Sequence, residues 1–375
     1  MESSFRLGRI RGIDIGVHYT WLVVFVLVTV SLAVGFFPQT FPALSRTMDW
    51  LLGVLASLLL FVSVLVHELS HSVVAQSRGL QVRSITLFIF GGVSNIEGEP
   101  RSAGDELLIA GAGPLSSLAL GVLFGALVLA LAGASLALTA LLSYLALVNV
   151  LLAIFNLIPG FPLDGGRVFR AAAWAVTGSY FRATQIATAL GQGIAYLFIF
   201  GGLLLAFSGA FISGIWIAFI GWFLSNAAEA ARRQLRVQRA FAGVKVEELM
   251  NPEPVTVHPY LTLRDMVDDY VLHRNLRAVP VVDDAGAIMG LVTVTDVKNV
   301  PREQWDRLTV GDVMTPSAQM ITVSPQTNAG EALQMMGQRD VNQLPVIDSG
   351  RLVGLLSQGN VLRFLQVREE LGMRP

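Results

Sequence analysis

Six apolar runs, each long enough to cross a hydrocarbon core of ~30 Å, fill the first 230 residues of this 375-residue chain. They cover about 17–37, 50–77, 106–131, 137–159, 186–207 and 211–230. Composition points the same way: 53% of residues are hydrophobic and 14% charged, where soluble domains carry about 25% charged residues. The expected fold is a polytopic α-helical membrane domain of six transmembrane helices over 1–230. A linker at 231–245 follows, then a C-terminal α/β tandem at 246–300 and 308–366. The formal net charge of −1 offers no electrostatic footprint for nucleic acid. The chain has no cysteine, which excludes disulfides and thiolate metal sites. The opening MESSFRLGRIRGIDIGVH is too polar, too far ahead of its apolar run, for a cleavable signal. It is expected to stay in the mature protein.

Arginine placement sets the orientation. Arg6, Arg9, Arg11, Arg78, Arg83, Arg101, Arg167, Arg170, Arg182, Arg232, Arg233, Arg236 and Arg239 cluster at one set of span ends, and Arg46 lies at the other. Six spans with that bias put both termini in the cytoplasm, in a multi-pass protein of the plasma membrane.

The second run contains LFVSVLVHELSHSVVAQSRG, residues 60–79. Its His67, Glu68 and His71 sit where a bilayer costs an ionised side chain most, about 2.5–3.5 kcal/mol for a central Asp, Lys or Arg. On a helix, residues i and i+4 share a face one turn apart, so both imidazoles can reach one tetrahedral Zn²⁺. Glu68, next to the first ligand, is placed to take a proton from water at the metal. A polar cluster that merely glues helices is the competing reading. The insertion cost weighs against it, since ionisable groups inside a span are functional by default.

Two histidines do not complete a zinc sphere. His258 and His273 fall in the soluble tandem, and His18 opens the first span. The best third ligand is Asp164 in FNLIPGFPLDGGRVFR, where two prolines and three glycines interrupt the fourth run. Irregular backbone at membrane depth is tolerated where it is buried or lines a cavity. His67 lies roughly 24 Å along its helix at 1.5 Å per residue, in the inner part of the membrane, and Asp164 arrives at similar depth. Water would enter from the cytoplasmic side.

With HExxH in one span and Asp-Gly-Gly in a broken later one, the first 230 residues resemble the site-2 protease family of intramembrane zinc metalloproteases. The matching residues are Asn156, Pro159, Asp164 and Gly165, with the Gly-Pro stretch GAGPLSSLAL (111–120) in the third run. The resemblance implies one zinc ion held by His67, His71 and Asp164, with Glu68 as base and Asn156 near the scissile peptide. Many members carry Asn where Ser117 stands. It also implies single-pass membrane substrates such as anti-sigma factors, cleaved within or near their transmembrane helices. The segment at 82–99 reads as a membrane-associated hairpin around Gly91–Gly92. A strand edge there, expected at 85–89, could hold an unwound substrate by β-augmentation.

From Val244 the chain becomes charged and repeats itself after about 65 residues. Each repeat reads as a short strand, a helix, two apolar strands around a turn, and a second helix. The pair resembles tandem cystathionine-β-synthase (CBS) domains, in which a Gly-x-x-Thr/Ser-x-x-Asp/Asn segment faces an adenine nucleotide. Here these are Gly290, Thr293 and Asp296, then Gly354, Ser357 and Asn360. The resemblance implies either ATP, ADP or AMP as ligand or homodimerisation through the pair. A transporter or channel gated by the tandem is the alternative to a protease.

Overall fold

A computed structural model describes residues 5–371, save Phe90, Ala132 and Ala242. The chain divides into two compact units, Met1–Arg233 and Gln234–Pro375.

Among the described residues, the first unit contains six helices long and apolar enough to cross a membrane. They are α1 (Thr20–Thr40), α2 (Arg46–Ser77), α3 (Ala103–Ala130), α4 (Leu136–Asn156), α6 (Tyr180–Phe207) and α7, whose apolar part is Phe211–Arg233. A shorter helix, α5 (Asp164–Thr177), lies between α4 and α6. Ser45, Ser102, Ser135 and Ser179 cap α2, α3, α4 and α6 by accepting a backbone N–H, which satisfies donors that the first turn leaves open. The apolar run at 137–159 does not end as its composition suggests. α4 stops at Asn156, and Asp164 opens a separate helix of 14 residues. Two prolines remove backbone donors in this interval. Two glycines then let it fold tightly: a Cβ on Gly165 would lie 2.3 Å from Leu157, and one on Gly166 would lie 2.2 Å from Phe161.

A four-stranded sheet joins the helices, in the order β1 (Phe5–Ile10), β2 (Ile13–Val17), β3 (Gln81–Phe88) and β4 (Gly91–Glu97). β1 and β2 form a hairpin turned at Arg11–Gly12, both at positive φ. β2 pairs parallel to β3, and β3 antiparallel to β4. The hairpin expected at 82–99 is present. Its first strand, however, is covered on both sides, so residues 85–88 offer no edge; β4 is the outer strand. Ile13, Val82 and Ile85 bury the sheet against Ala75 of α2 and Ile109 of α3. The sheet is thereby fixed to the two helices that carry most of the polar cluster below.

The second unit holds two similar α/β halves. β5 (Ala278–Val282), β6 (Ile288–Thr293) and β7 (Thr315–Pro316) form one sheet, and β8 (Gln343–Asp348) with β9 (Arg351–Ser357) the other. The short first strand expected in each repeat reduces to a single parallel bridge, Val257 to Val281 and Val323 to Val346. The halves exchange their opening segments. Val246 and Leu249 pack in the core with Val323, Leu344 and Leu356, while Val310 packs with Val257, Val279 and Val292. Gly290 and Gly354 make room for this: a Cβ on either would meet the sulfur of Met314 or Met250 at 2.7 or 2.5 Å.

Candidate metal centre

α2 brings His67 and His71 to one face, one turn apart, and both are buried. The first turn of α5 brings Asp164 against them. Nε2 of His67 lies 3.0 Å from Asp164 Oδ2, Nε2 of His71 lies 3.1 Å from the same oxygen, and the two nitrogens are 3.2 Å apart. Among the described residues, this is the one group of three or more His, Cys, Asp or Glu side chains able to share a metal ion. His18 instead places Nδ1 2.9 Å from Thr20 Oγ1, His258 pairs with Asp284 at 3.5 Å, and His273 Nδ1 donates to the Asp268 carbonyl at 2.6 Å.

The outer ring nitrogens are held too. His71 Nδ1 donates to the Ile109 carbonyl at 2.7 Å. A carbonyl can only accept, so Nδ1 carries the proton, and in the neutral imidazole Nε2 turns a lone pair toward Asp164. His67 Nδ1 lies 2.9 Å from Ser117 Oγ. Gly113 stands between these supports. A Cβ there would lie 2.1 Å from His71 Nε2 and 2.6 Å from His67 Nε2. Pro114, inside α3, removes the N–H that would bind the Ala110 carbonyl, next to the one His71 uses.

The donor set fits zinc. Three ligand atoms at the corners of a tetrahedron with bonds of ~2.05 Å stand about 3.3 Å apart, close to the separations found. Two imidazole nitrogens and a carboxylate oxygen converging on one point is the arrangement a dication stabilises. Outer partners on the distal nitrogens are what metal-ligating histidines usually have.

Glu68 follows His67 on α2. Its Oε2 accepts a hydrogen bond from Ser94 Oγ at 2.8 Å, and Ser72 Oγ donates to Ser94 Oγ at 3.2 Å. Gly92 also faces it, since a Cβ there would lie 2.4 Å from Glu68 Cγ. The outer strand β4 therefore touches the carboxylate twice. Asn156, at the end of α4, donates Nδ2 to the Leu152 carbonyl at 2.9 Å. Sequence reasoning did not find Ser94, the Ile109 carbonyl or the role of Ser117. The Gly-Pro pair at 113–114 was the available sign that α3 closes on something.

These geometries agree with sequence relationships. The family model described as Peptidase family M50 matches residues 55–137 and 133–200, and the CBS domain model matches 246–303 and 310–367. Zinc metalloprotease MJ0392 of Methanocaldococcus jannaschii is 31% identical over 99% of this chain and 99% of its own length. Rip3 of Mycobacterium tuberculosis, also named as a zinc metalloprotease, is 37% identical over 98% of this chain and 94% of its own. The chain belongs to peptidase family M50. It is a site-2-protease-like zinc metalloendopeptidase, a multi-pass membrane protein with a C-terminal CBS pair. Membership in a peptidase family decides against the gated transporter. The solved site-2 protease from Methanocaldococcus jannaschii shares 32% identity, covering 60% of this chain and 94% of that one, with a TM-score of 0.44.

In the second unit a cleft of about 640 Å³ lies between the two halves, lined by Arg277, Thr293, Asp296, Thr315, Asp340 and Ser357 among others. Thr293 Oγ1 donates to Asp296 Oδ2 at 2.7 Å and accepts from the Asp296 N–H, capping helix Val294–Lys298. Ser357 pairs with Asn360, whose Nδ2 donates to the Leu249 carbonyl at 3.0 Å.

Proposed function

We propose that His67, His71 and Asp164 hold one zinc ion, that Glu68 is the general base, and that the substrates are membrane-spanning polypeptides. The observation that carries this reading is the convergence of two Nε2 atoms and one carboxylate oxygen at 3.0–3.2 Å, with both distal ring nitrogens held. When bound, zinc supplies a Lewis acid that polarises the scissile carbonyl and acidifies water. Glu68 takes the proton from the attacking water and passes it to the leaving amine. Ser94 orients the carboxylate for both transfers. A helical substrate hides its peptide bonds in i→i−4 hydrogen bonds and must unwind first. β4, the outer strand beside Glu68, is the place for the unwound segment to pair, with Asn156 as a further contact at the break.

Single-pass proteins such as anti-sigma factors fit this access. The arginine bias supports cytoplasmic termini and water entry from that side. In the second unit, Thr293 and Ser357 would meet phosphate oxygens, and Asp296 and Asn360 ribose hydroxyls, of an adenine nucleotide. The nucleotide would then bias proteolysis by differential affinity for two states. The CBS pair also offers a route to a homodimer. The boundaries at 231, 246 and 308 follow the composition change and the sequence repeats.

Reconstitution with membrane-spanning peptides and mass spectrometry of the products tests the core of this reading. Glu68→Gln should keep parental zinc content and lose hydrolysis by at least ~10³-fold. Parental cleavage in that variant would refute the role of Glu68.

A further inference from the structure

One face of α3 carries Glu106, Ile109, Gly113 and Ser117 in succession, all buried or packed against buried groups. Three of them meet the histidines: Ile109 by its carbonyl, Gly113 by its missing Cβ, Ser117 by its hydroxyl. Glu106 has another partner. It is fully buried, and its Oε1 accepts from Arg170 Nε at 2.8 Å and from Arg170 Nη2. Arg167 Nε stands 4.0 Å from the same oxygen.

Arg170 lies on α5, the helix that Asp164 opens. Its guanidinium carbon sits 5.3 Å from the Phe161 ring centre and 4.8 Å from that of Tyr180. One buried cation is thus gripped by α3, by the break preceding Asp164, and by the first residue of α6. Such a pair gains little stability, because desolvation offsets most of the Coulomb attraction and an apolar pair of like volume often holds as well. What it adds is direction. Both donors meet one carboxylate oxygen while two rings flank the guanidinium plane, so it accepts few orientations.

We propose that Glu106 and Arg170 are positioning residues for the metal ligands. The pair fixes the rotation and depth of α5, and so holds Asp164 Oδ2 against imidazoles that α3 already orients. This inference rests on the reading of Asp164 as third ligand.

A four-protein cycle on the full chain in detergent tests it: parent, Arg170→Met, Asp164→Ala and the double variant. Zinc dissociation constants come from chelator competition, and the visible spectrum of the Co²⁺ form reports coordination number. Arg170→Met is expected to weaken zinc about 10–100-fold and to reduce the tetrahedral Co²⁺ absorption. In the Asp164→Ala background, the same change is expected to weaken zinc by no more than about twofold. A role confined to general stability would weaken zinc equally in both backgrounds, and that additive result overturns the proposal. Parental zinc affinity in Arg170→Met with impaired Asp164→Ala overturns the positioning role alone. Parental affinity in Asp164→Ala overturns the ligand assignment and this proposal together. Should Arg170→Met fail to fold, Arg170→Lys and Glu106→Gln enter the same cycle and are read by the same criteria.

Discussion

At Gly113 the space a methyl group would need is already taken by both imidazoles. Gly113 lies in mid-helix, packed against α2, so the histidine side chains are the groups that must give way. Gly113→Ala should therefore lower zinc content at least ~10-fold in purified protein, measured by elemental analysis, while the helical signal stays parental. Ser117→Ala removes the partner of His67 Nδ1 and should weaken zinc about 10–100-fold in chelator competition. Ser94→Ala acts differently. It frees Glu68 without touching the ligands, so turnover should fall several-fold to ~10²-fold with zinc retained. His67 and His71 were legible in the sequence because helical spacing alone puts them on one face, and Glu68 because it directly follows the first of them. Asp164 was legible because prolines and glycines announced a break. Ser94, the Ile109 carbonyl and the Glu106–Arg170 pair were not. Each is a contact between separate elements, 26, 38 and 64 residues apart, and no local periodicity encodes such a distance.

At the scale of elements, the sheet leaves a free edge beside Glu68. β3 is paired on both sides, which leaves β4 as the strand beside Glu68 with an outer edge. A strand's N–H groups point alternately to its two sides. Substrate peptides N-methylated at alternate positions should therefore lose cleavage about 10-fold or more in one register and keep it in the other, as read by product mass spectrometry. Equal tolerance of both registers would argue against pairing at β4. The hairpin was legible from its β-formers around Gly91–Gly92. β1 was not, since its alternation lasts only from Phe5 to Gly8 and none of its six residues is buried. Arg6 and Arg9 meet over Asp14 across the hairpin instead. The parallel pairing of β2 with β3 bridges two apolar helices, α1 and α2, and nothing in either strand's own residues reveals its partner.

Across the whole molecule, a peptidase unit and a CBS pair share one chain. An adenine nucleotide that occupies the cleft between the CBS halves should raise the unfolding temperature of the second unit. At a hundredfold excess over its dissociation constant the stabilisation is about 2.7 kcal/mol. Thr293→Val should abolish most of that shift in scanning calorimetry of the full chain, and identical shifts in both proteins would refute a nucleotide at that hydroxyl. The repeat itself was plain in the sequence because two copies align with one another. The exchange of opening segments was not, because Val246 and Val310 are equally apolar and suit either core. The parallel pairing of β2 with β3 also bears on how the protein is made. β1 and β2 leave the ribosome first, yet β3 follows only after roughly sixty more residues have been translated, about 3–12 s later at ordinary elongation rates. A lone two-stranded ribbon is barely stable in water. The newborn chain must therefore carry an unfinished sheet while α1 and α2 are made, so biogenesis has an interval in which a chaperone or the insertion machinery would have to shield it.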